Sequence, residues 1–366
     1  MLSAANTKKQ LIYLLITIAV IIVLHLLFQY NSNVVLVYKQ YAFLPLQWIR
    51  CSLFNLFPFS VGDIVYIIAT FALLISIVRF FRNLFRSRQK QQFVFSALLR
   101  SIRFIFSFYL LLFIVWGGNY FQASMTDSLA LKNEERITKD ELIAFDALLV
   151  KRLNDCALNY RKQSMQVINL KAVSLYRAKN AFTKVQVKSS LFGNLMAYMG
   201  VEGYFNPFTG EAQVNGNTPS FMQPFVIAHE MAHQAGIAAE DDANLMAYIR
   251  CVQSGDTNFC YAAYLNIWLY THRAVRMMDS AAARKIREQL NQLTINHVDT
   301  LRQLRRKYDS RAGDYSSNIY DAYLKLGNQK EGIESYRNVA FTAFAWERKY
   351  GQLNDKKNQD TTIFHK

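Results

Sequence analysis

Three apolar runs dominate the first third of the chain. Leu11 to Phe28 contains only Thr17 and His25 as polar members. Val61 to Phe81 carries a single acid, Asp63, near its start, and Phe104 to Tyr120 runs into Phe121, an aromatic end. Each approaches the roughly 20 residues that a helix needs to cross a bilayer core. The first run could be a cleaved leader, but such a core is typically only about 7–15 residues long with small residues at its end. Here Gln29, Tyr30, Asn31 and Ser32 follow, so an uncleaved span is expected. The stretch between the first two runs is itself apolar, with Leu44, Leu46, Trp48, Ile49, Leu53, Phe54, Phe57 and Phe59. It is expected to lie along the membrane surface or to pack beneath a soluble domain.

Past residue 121 the pattern changes. ELIAFDALLVKRLNDCALNYR places Leu142, Ile143, Phe145, Leu148, Leu149 and Leu153 at helical spacing, and residues 122–180 read as helical. Thr183 to Val187 alternates as a strand does. GVEGYFNPFTGEAQVNG reads as a hairpin: Gly203 to Phe205 up, Pro207 to Gly210 as the turn, Ala212 to Val214 back. Helices are then expected over 221–236, 240–253, 259–279, 281–308 and 317–350. The architecture predicted is an α-helical membrane region of three transmembrane helices (residues 1–121, helices over 11–28, 61–81 and 104–120). A mainly α, α+β domain with a small sheet follows over 122–352, and then a polar tail over 353–366.

Charge refines this picture. The net charge of +16 could suggest nucleic-acid binding, but much of the excess falls between the second and third runs. Arg82, Arg86, Arg88, Lys90, Arg100 and Arg103 lie there, with Arg79 just before the end of the second run. Basic residues flanking apolar spans mark a cytoplasmic loop, here 82–103, and no zinc-finger, RNA-binding or recognition-helix pattern accompanies them. No nucleic-acid partner is expected; the partners are the bilayer and a peptide or protein. With the basic loop inside, the N-terminus is cytoplasmic and the C-terminal domain extracytoplasmic. His25 and Asp63 lie near helix ends, where interface hydration suffices for them, and three spans are too few for a transporter built of inverted repeats.

The chemistry is concentrated in PFVIAHEMAHQAGIAAEDDANLMAY, residues 224–248, where His229-Glu230-Met231-Ala232-His233 forms H-E-x-x-H. Positions four apart share a helix face, so both imidazoles can reach one metal, while Glu230, one step round, can serve as base to a water. The pattern arises by chance in about one chain in a hundred of this length, so context has to decide. The apolar body from Phe225 to Ala232 suits a buried helix, and Gly236 stands where a left-handed residue ends one. The competing reading pairs the two histidines with carboxylates, at the cost of two semi-buried rings lacking a shared partner.

A catalytic zinc site takes three protein ligands and keeps one open position. After the Gly236 turn, Glu240-Asp241-Asp242-Ala243-Asn244 opens a second helix. Glu240 has the longest reach and is chosen as third ligand, with Asp242 as the fallback; spare acids there would favour the helix dipole in any case. For the transition state, Asn215, His272, Tyr320 and Tyr336 are the possible donors.

H-E-x-x-H followed by Glu-x-x-Ala-Asn resembles the gluzincin branch of zinc peptidases. The resemblance implies a zincin-like domain, a Zn2+ cofactor, Glu240 as ligand and Asn244 as support for a ligand histidine. It also implies a strand edge that holds the substrate backbone, for which Tyr204, Phe205, Ala212 and Val214 are candidates; a plain stabilising hairpin fits the same residues. The wider string N-P-F-T-G-E-A-x-V-N (206–215), P-F-x-x-x-H-E-x-A-H-Q-x-G (224–236), E-x-x-A-N (240–244) and YDAYLK…GIESY (320–336) is similar to a bacterial family of membrane-anchored zincin-like proteins, catalogued as a domain of unknown function. The function implied is a metallopeptidase at the outer face of the inner membrane, with a catalytically silent envelope scaffold or sensor as the alternative. Intramembrane proteolysis is excluded, because the motif lies about a hundred residues beyond the last span.

Of the four cysteines, Cys51, Cys156, Cys251 and Cys260, the last two bracket VQSGDTNF. A disulfide between Cys251 and Cys260 is possible outside the cytoplasm, against two free thiols. None has metal-site spacing with another.

Overall fold

In the computed structural model, residues 4–131, 137–177, 185–309 and 335–351 are described. The chain divides into two units. One comprises Met1–Gln122 with Asn206–Glu211, the other Ala123–Phe205 with Ala212–Lys366.

In the first unit, the opening apolar run forms α1 (Ala4–Tyr30). Asn31 ends it: its backbone is extended, and its side chain accepts from Asn33 N and Val34 N to cap α2 (Ser32–Val37). A π-helical stretch, Tyr38–Phe43, leads into α3 (Leu44–Phe54). Helix α4 (Val61–Arg86) starts at Ser60, whose hydroxyl accepts from Asp63 N, and α5 (Lys90–Val115) follows. Among the described residues, three helices are long and apolar enough to cross a membrane: Thr7–Tyr30, Val61–Arg86 and Lys90–Val115.

Two boundaries differ from expectation. The basic stretch 82–103 is helical except around Ser87–Gln89. Arg and Lys are good helix formers, so the end of the apolar run marks where hydrophobicity stops and not where the helix does. The third helix ends at Val115 rather than 120, and Gly117–Phe121 forms a 3-10 turn. His25 also departs from interface hydration. Its Nδ1 lies 2.9 Å from Ile21 O and its Nε2 2.8 Å from the Tyr109 hydroxyl. The carbonyl can only accept, so Nδ1 carries the proton and Tyr109 donates to Nε2. The hairpin turn 206–211 is fixed within this unit too. Glu211 accepts from the N-terminal amides of α4, Val61 N (3.2 Å) and Gly62 N (2.6 Å), as a helix N-terminus favours. Gln47 donates to Gly210 O at 2.8 Å, where Gly210 adopts φ +66.

The second unit is helical around a small sheet. After α6 (Met125–Ser128), a capping box between Thr138 and Glu141 opens α7 (Lys139–Asn159), and α8 (Met165–Arg177) follows. Strand β1 (Val187–Ser189), α9 (Gly193–Tyr198), β2 (Gly203–Phe205) and β3 (Ala212–Val214) complete the sheet region. The strand order is β1-β3-β2. β3 runs parallel to β1 and antiparallel to β2, with Gly203 opposite Val214. The expected hairpin is present. The helices α10 (Gln223–Gln234), α11 (Glu240–Val252), α12 (Thr257–Met278), α13 (Ser280–Arg287), α14 (Gln292–Lys307) and α15 (Ser335–Tyr350) follow. The single helix expected over 281–308 is two, because Asn291 accepts from Thr294 N and starts a new one. Of the helix expected over 317–350, residues 317–334 lie outside the described ones, as does the polar tail. Phe145 and Leu149 of α7, Ile227 and Met231 of α10, Leu245 of α11 and Leu265 of α12 meet in one core, each almost wholly buried.

Candidate metal centre

Helix α10 is built to hold a rigid, buried motif. Pro224 stands in its first turn, where the missing amide hydrogen costs nothing. Its apolar residues pack on every side, and only His229 and Gln223, Glu230, His233 and Gln234 bring polar groups. At the other end Gly236 takes φ +88. Gly236 N donates to His233 O at 2.9 Å and Ile237 N to Ala232 O at 3.1 Å. This paired closure uses up two orphan carbonyls and turns the chain back at once. Three residues later α11 begins at Glu240, with Asp241 and Asp242 completing an acidic first turn.

The tight return brings three ligand groups together. His229 Nε2 lies 3.1 Å from His233 Nε2 and 3.2 Å from Glu240 Oε2, and His233 Nε2 lies 3.6 Å from Glu240 Oε1. His229, His233 and Glu240 form a group that could hold a metal ion. The tautomer of His233 suits this. Its Nδ1 is 2.7 Å from Ile237 O, so Nδ1 must donate and Nε2 is the ring nitrogen turned to the cluster. Glu230 is buried beside the cluster, and its Oε2 has no hydrogen-bond partner.

The electrostatics point the same way. Burial pushes the Glu230 carboxyl up to about 7, against the pull of His229 and His233 and with the help of Glu240 and Glu202. Burial alone would depress His233, but the Glu240 carboxylate overrides it and lifts the imidazole to about 9. Glu240 is driven well below the ordinary carboxylate range, because the two histidines outweigh its burial. The cluster therefore holds a proton between Glu240 and His233.

The other expected residues are distributed as follows. Asp242 is not part of that group: it accepts from Met125 N at 2.8 Å, and burial raises its carboxyl to about 7. Asn244 is buried one turn beyond Glu240, and its Nδ2 donates to no acceptor; His229 Nδ1 is likewise without a partner. No hydrogen bond joins Asn244 to either histidine. Tyr204 and Phe205 lie on the outer strand β2, with the Phe205 ring 6.4 Å from that of His233. Ala212 and Val214 do not offer an edge, because β3 is the central strand and pairs on both sides. The sequence pattern identified the hairpin but not which strand would take the middle.

Of the expected transition-state donors, Asn215 is committed to its turn: Nδ2 donates to Val201 O at 3.1 Å and Oδ1 accepts from Asn217 N at 2.9 Å. His272 is committed to Asp146 at 2.9 Å and stacks on Trp268. Tyr320 and the Tyr336 side chain lie outside the described residues. The residue not foreseen is Tyr270 of α12. Burial, with the charges of Glu202 and Glu240, pushes its hydroxyl up to about 12, so it keeps its proton at neutral pH. Nothing in its local sequence signals this; only the packing of α12 across α10 and α11 does. No disulfide joins Cys251 and Cys260. Both are free thiols, the first directed at Pro224 O and the second at Cys251 O and Val252 O. Of the two alternatives for this pair, the structure has the two free thiols.

These features define a largely helical protein with three helices apolar enough to cross a membrane and, in its second unit, a His2Glu cluster beside a buried glutamate. The chain matches the family described as protein of unknown function (DUF3810) over residues 38–341, and it belongs to that family. Comparison with curated proteins and with solved structures finds no match.

Proposed function

We propose that this protein is a membrane-anchored zinc metallopeptidase with a gluzincin-like domain. In this reading it cleaves peptide bonds of cell-envelope substrates at the outer face of a bacterial inner membrane. The observation that carries the reading is the convergence of His229, His233 and Glu240 around a point flanked by Glu230. Tetrahedral bonds of about 2.0–2.1 Å to zinc would separate the ligand atoms by about 3.3 Å, and the observed separations are 3.1, 3.2 and 3.6 Å. Two imidazoles and one carboxylate are also the donor set of several zinc hydrolases. When bound, zinc supplies Lewis acidity that acidifies a water and polarises a carbonyl.

The chain's own residues do the rest. Glu230, with a carboxyl near neutrality and one oxygen unengaged, takes a proton from the attacking water and passes it to the departing amine. Tyr270, held protonated, donates to the oxygen on which charge develops. Strand β2 supplies the edge along which substrate backbone lies. The basic residues from Arg79 to Arg103 set the N-terminus in the cytoplasm and the second unit outside.

The test is metal content together with peptide cleavage, on pure wild-type protein and on Glu230→Gln. Stoichiometric zinc in both, with turnover about 100-fold to 10,000-fold lower in the variant, is the expected result. Wild-type protein without zinc, or a variant as active as wild type, sinks the reading.

A further inference from the structure

Cations recur far from the basic stretch 82–103. Residues 273–287, the end of α12 and the whole of α13, carry Arg273, Arg276, Arg284, Lys285 and Arg287 against one acid, Asp279. That acid is committed: it caps α13 by accepting from Ala282 N at 2.9 Å, and it pairs with Lys139 at 2.9 Å. All five cations are exposed, and among the described residues none of them forms an ion pair.

Two methionines stand within this charge. Met277 is 76% exposed and Met278 57%. Leaving two long apolar side chains in water is unfavourable, and the corner is not free to fold them away. Val275 of α12, Ala283 of α13 and Leu142 of α7 are buried together, which fixes the two helices. Arg273, Arg276 and Met277 share one exposed face of α12 through their three- and four-residue spacing. In α13 Ala283 and Ile286 are buried, while Arg284, Lys285 and Arg287 stay in solvent. An apolar pair rimmed by cations is complementary to a layer that is anionic outside and apolar beneath. A second copy of the chain would bring the same cations and be repelled. An acidic protein would bring the charge without the apolar layer. A phospholipid surface offers both, and the same chain carries three helices apolar enough to cross a membrane.

We infer that the α12–α13 corner is a docking site for an anionic phospholipid surface, with Met277 and Met278 entering the headgroup layer and the five cations lying over phosphates. The inference rests on the membrane-anchored part of the reading above and not on its peptidase part. Each cation brought to an anionic surface strengthens the contact about fivefold, so two of the five already favour the docked state about 25-fold. The test is methionine oxidation by hydrogen peroxide, a neutral reagent that surface charge neither attracts nor repels. Full-length protein is placed in nanodiscs of phosphatidylcholine, or of phosphatidylcholine with roughly one-third phosphatidylglycerol. Sulfoxide formation at Met277 and Met278 is followed by peptide mass spectrometry. Oxidation of both is expected to be at least about 10-fold slower in the anionic discs, and the difference to disappear at about 1 M salt, where the screening length is about 3 Å. It is also expected to disappear in Arg273→Gln/Arg276→Gln/Arg284→Gln/Lys285→Gln, with melting temperature unchanged because none of these side chains has an ionic partner. Equal rates in the two kinds of disc, or protection that survives the four substitutions or high salt, overturns the inference. So does protection that appears only when polyglutamate is added to phosphatidylcholine discs, which assigns the corner to an acidic protein. A chain that does not enter discs at all overturns the anchored reading, and this inference with it.

Discussion

Replacing Gly203 by Ala tests how the base is positioned. Gly203 has no left-handed φ, so alanine suits its backbone; the obstacle is space. The added Cβ would stand 2.6 Å from Glu230 Oε1, 2.8 Å from Glu230 Cγ and 2.9 Å from Gln213 O, where about 3.4 Å is ordinary contact. Gln213 sits on β3, clamped between β1 and β2, so it cannot yield. Glu230 must, and relieving its closest approach requires a shift of about 0.8 Å. Catalytic groups displaced by about 1 Å lose roughly 100-fold in rate. The metal ligands hang from other positions, and the crowding costs about 1–3 kcal/mol, partly offset by the lower chain entropy of alanine. Gly203→Ala is therefore expected to keep stoichiometric zinc and most of its stability while kcat falls about 100-fold. The assay is peptide hydrolysis normalised to metal content. Wild-type turnover in this variant would refute the argument that the β2 backbone sets the position of Glu230.

Arg152 and Glu347 form a buried bidentate pair at 2.8 and 3.0 Å, to which the Tyr248 hydroxyl adds a 2.6 Å hydrogen bond. Arg152→Met strands that carboxylate and is expected to cost about 3–5 kcal/mol, roughly a 10 °C fall in Tm for a domain of this size; Arg152→Met/Glu347→Met is expected to lose less, and the two melting curves decide it. His297 stacks on Phe221 at 3.9 Å, and burial depresses its imidazole to about 4. The unfolded chain titrates near 6.5, so it binds the proton first and stability is lost as pH falls from about 6.5 towards 4. The Tm of His297→Phe is expected to fall less than that of wild type across that window, and parallel curves would count against the burial of this ring.

The sequence made the helices and the grouping of His229, His233 and Glu240 legible because both depend on short-range periodicity. Four-residue spacing stacks His229 over His233 on any helix, and Gly236 must terminate that helix wherever it sits. The short return to α11 then left few ways to bring a carboxylate back. Choosing between Glu240 and Asp242 required tertiary detail: Asp242 is claimed by Met125 N, a residue 117 positions away. The same limit explains the remaining omissions. Tyr270 comes under the charge of Glu240 only because α12 packs on α10 and α11. β3 is central only because β1 pairs with it in parallel, and a parallel partner leaves no turn signal in the chain. Gly203 reads as an ordinary hairpin residue until its distance to Glu230 is known. At that distance the absence of a side chain at 203 becomes a requirement of the packing around Glu230. The members of the His229, His233 and Glu240 group were thus encoded locally, while the place of Glu230 against Gly203 was encoded in how a strand and a helix pack.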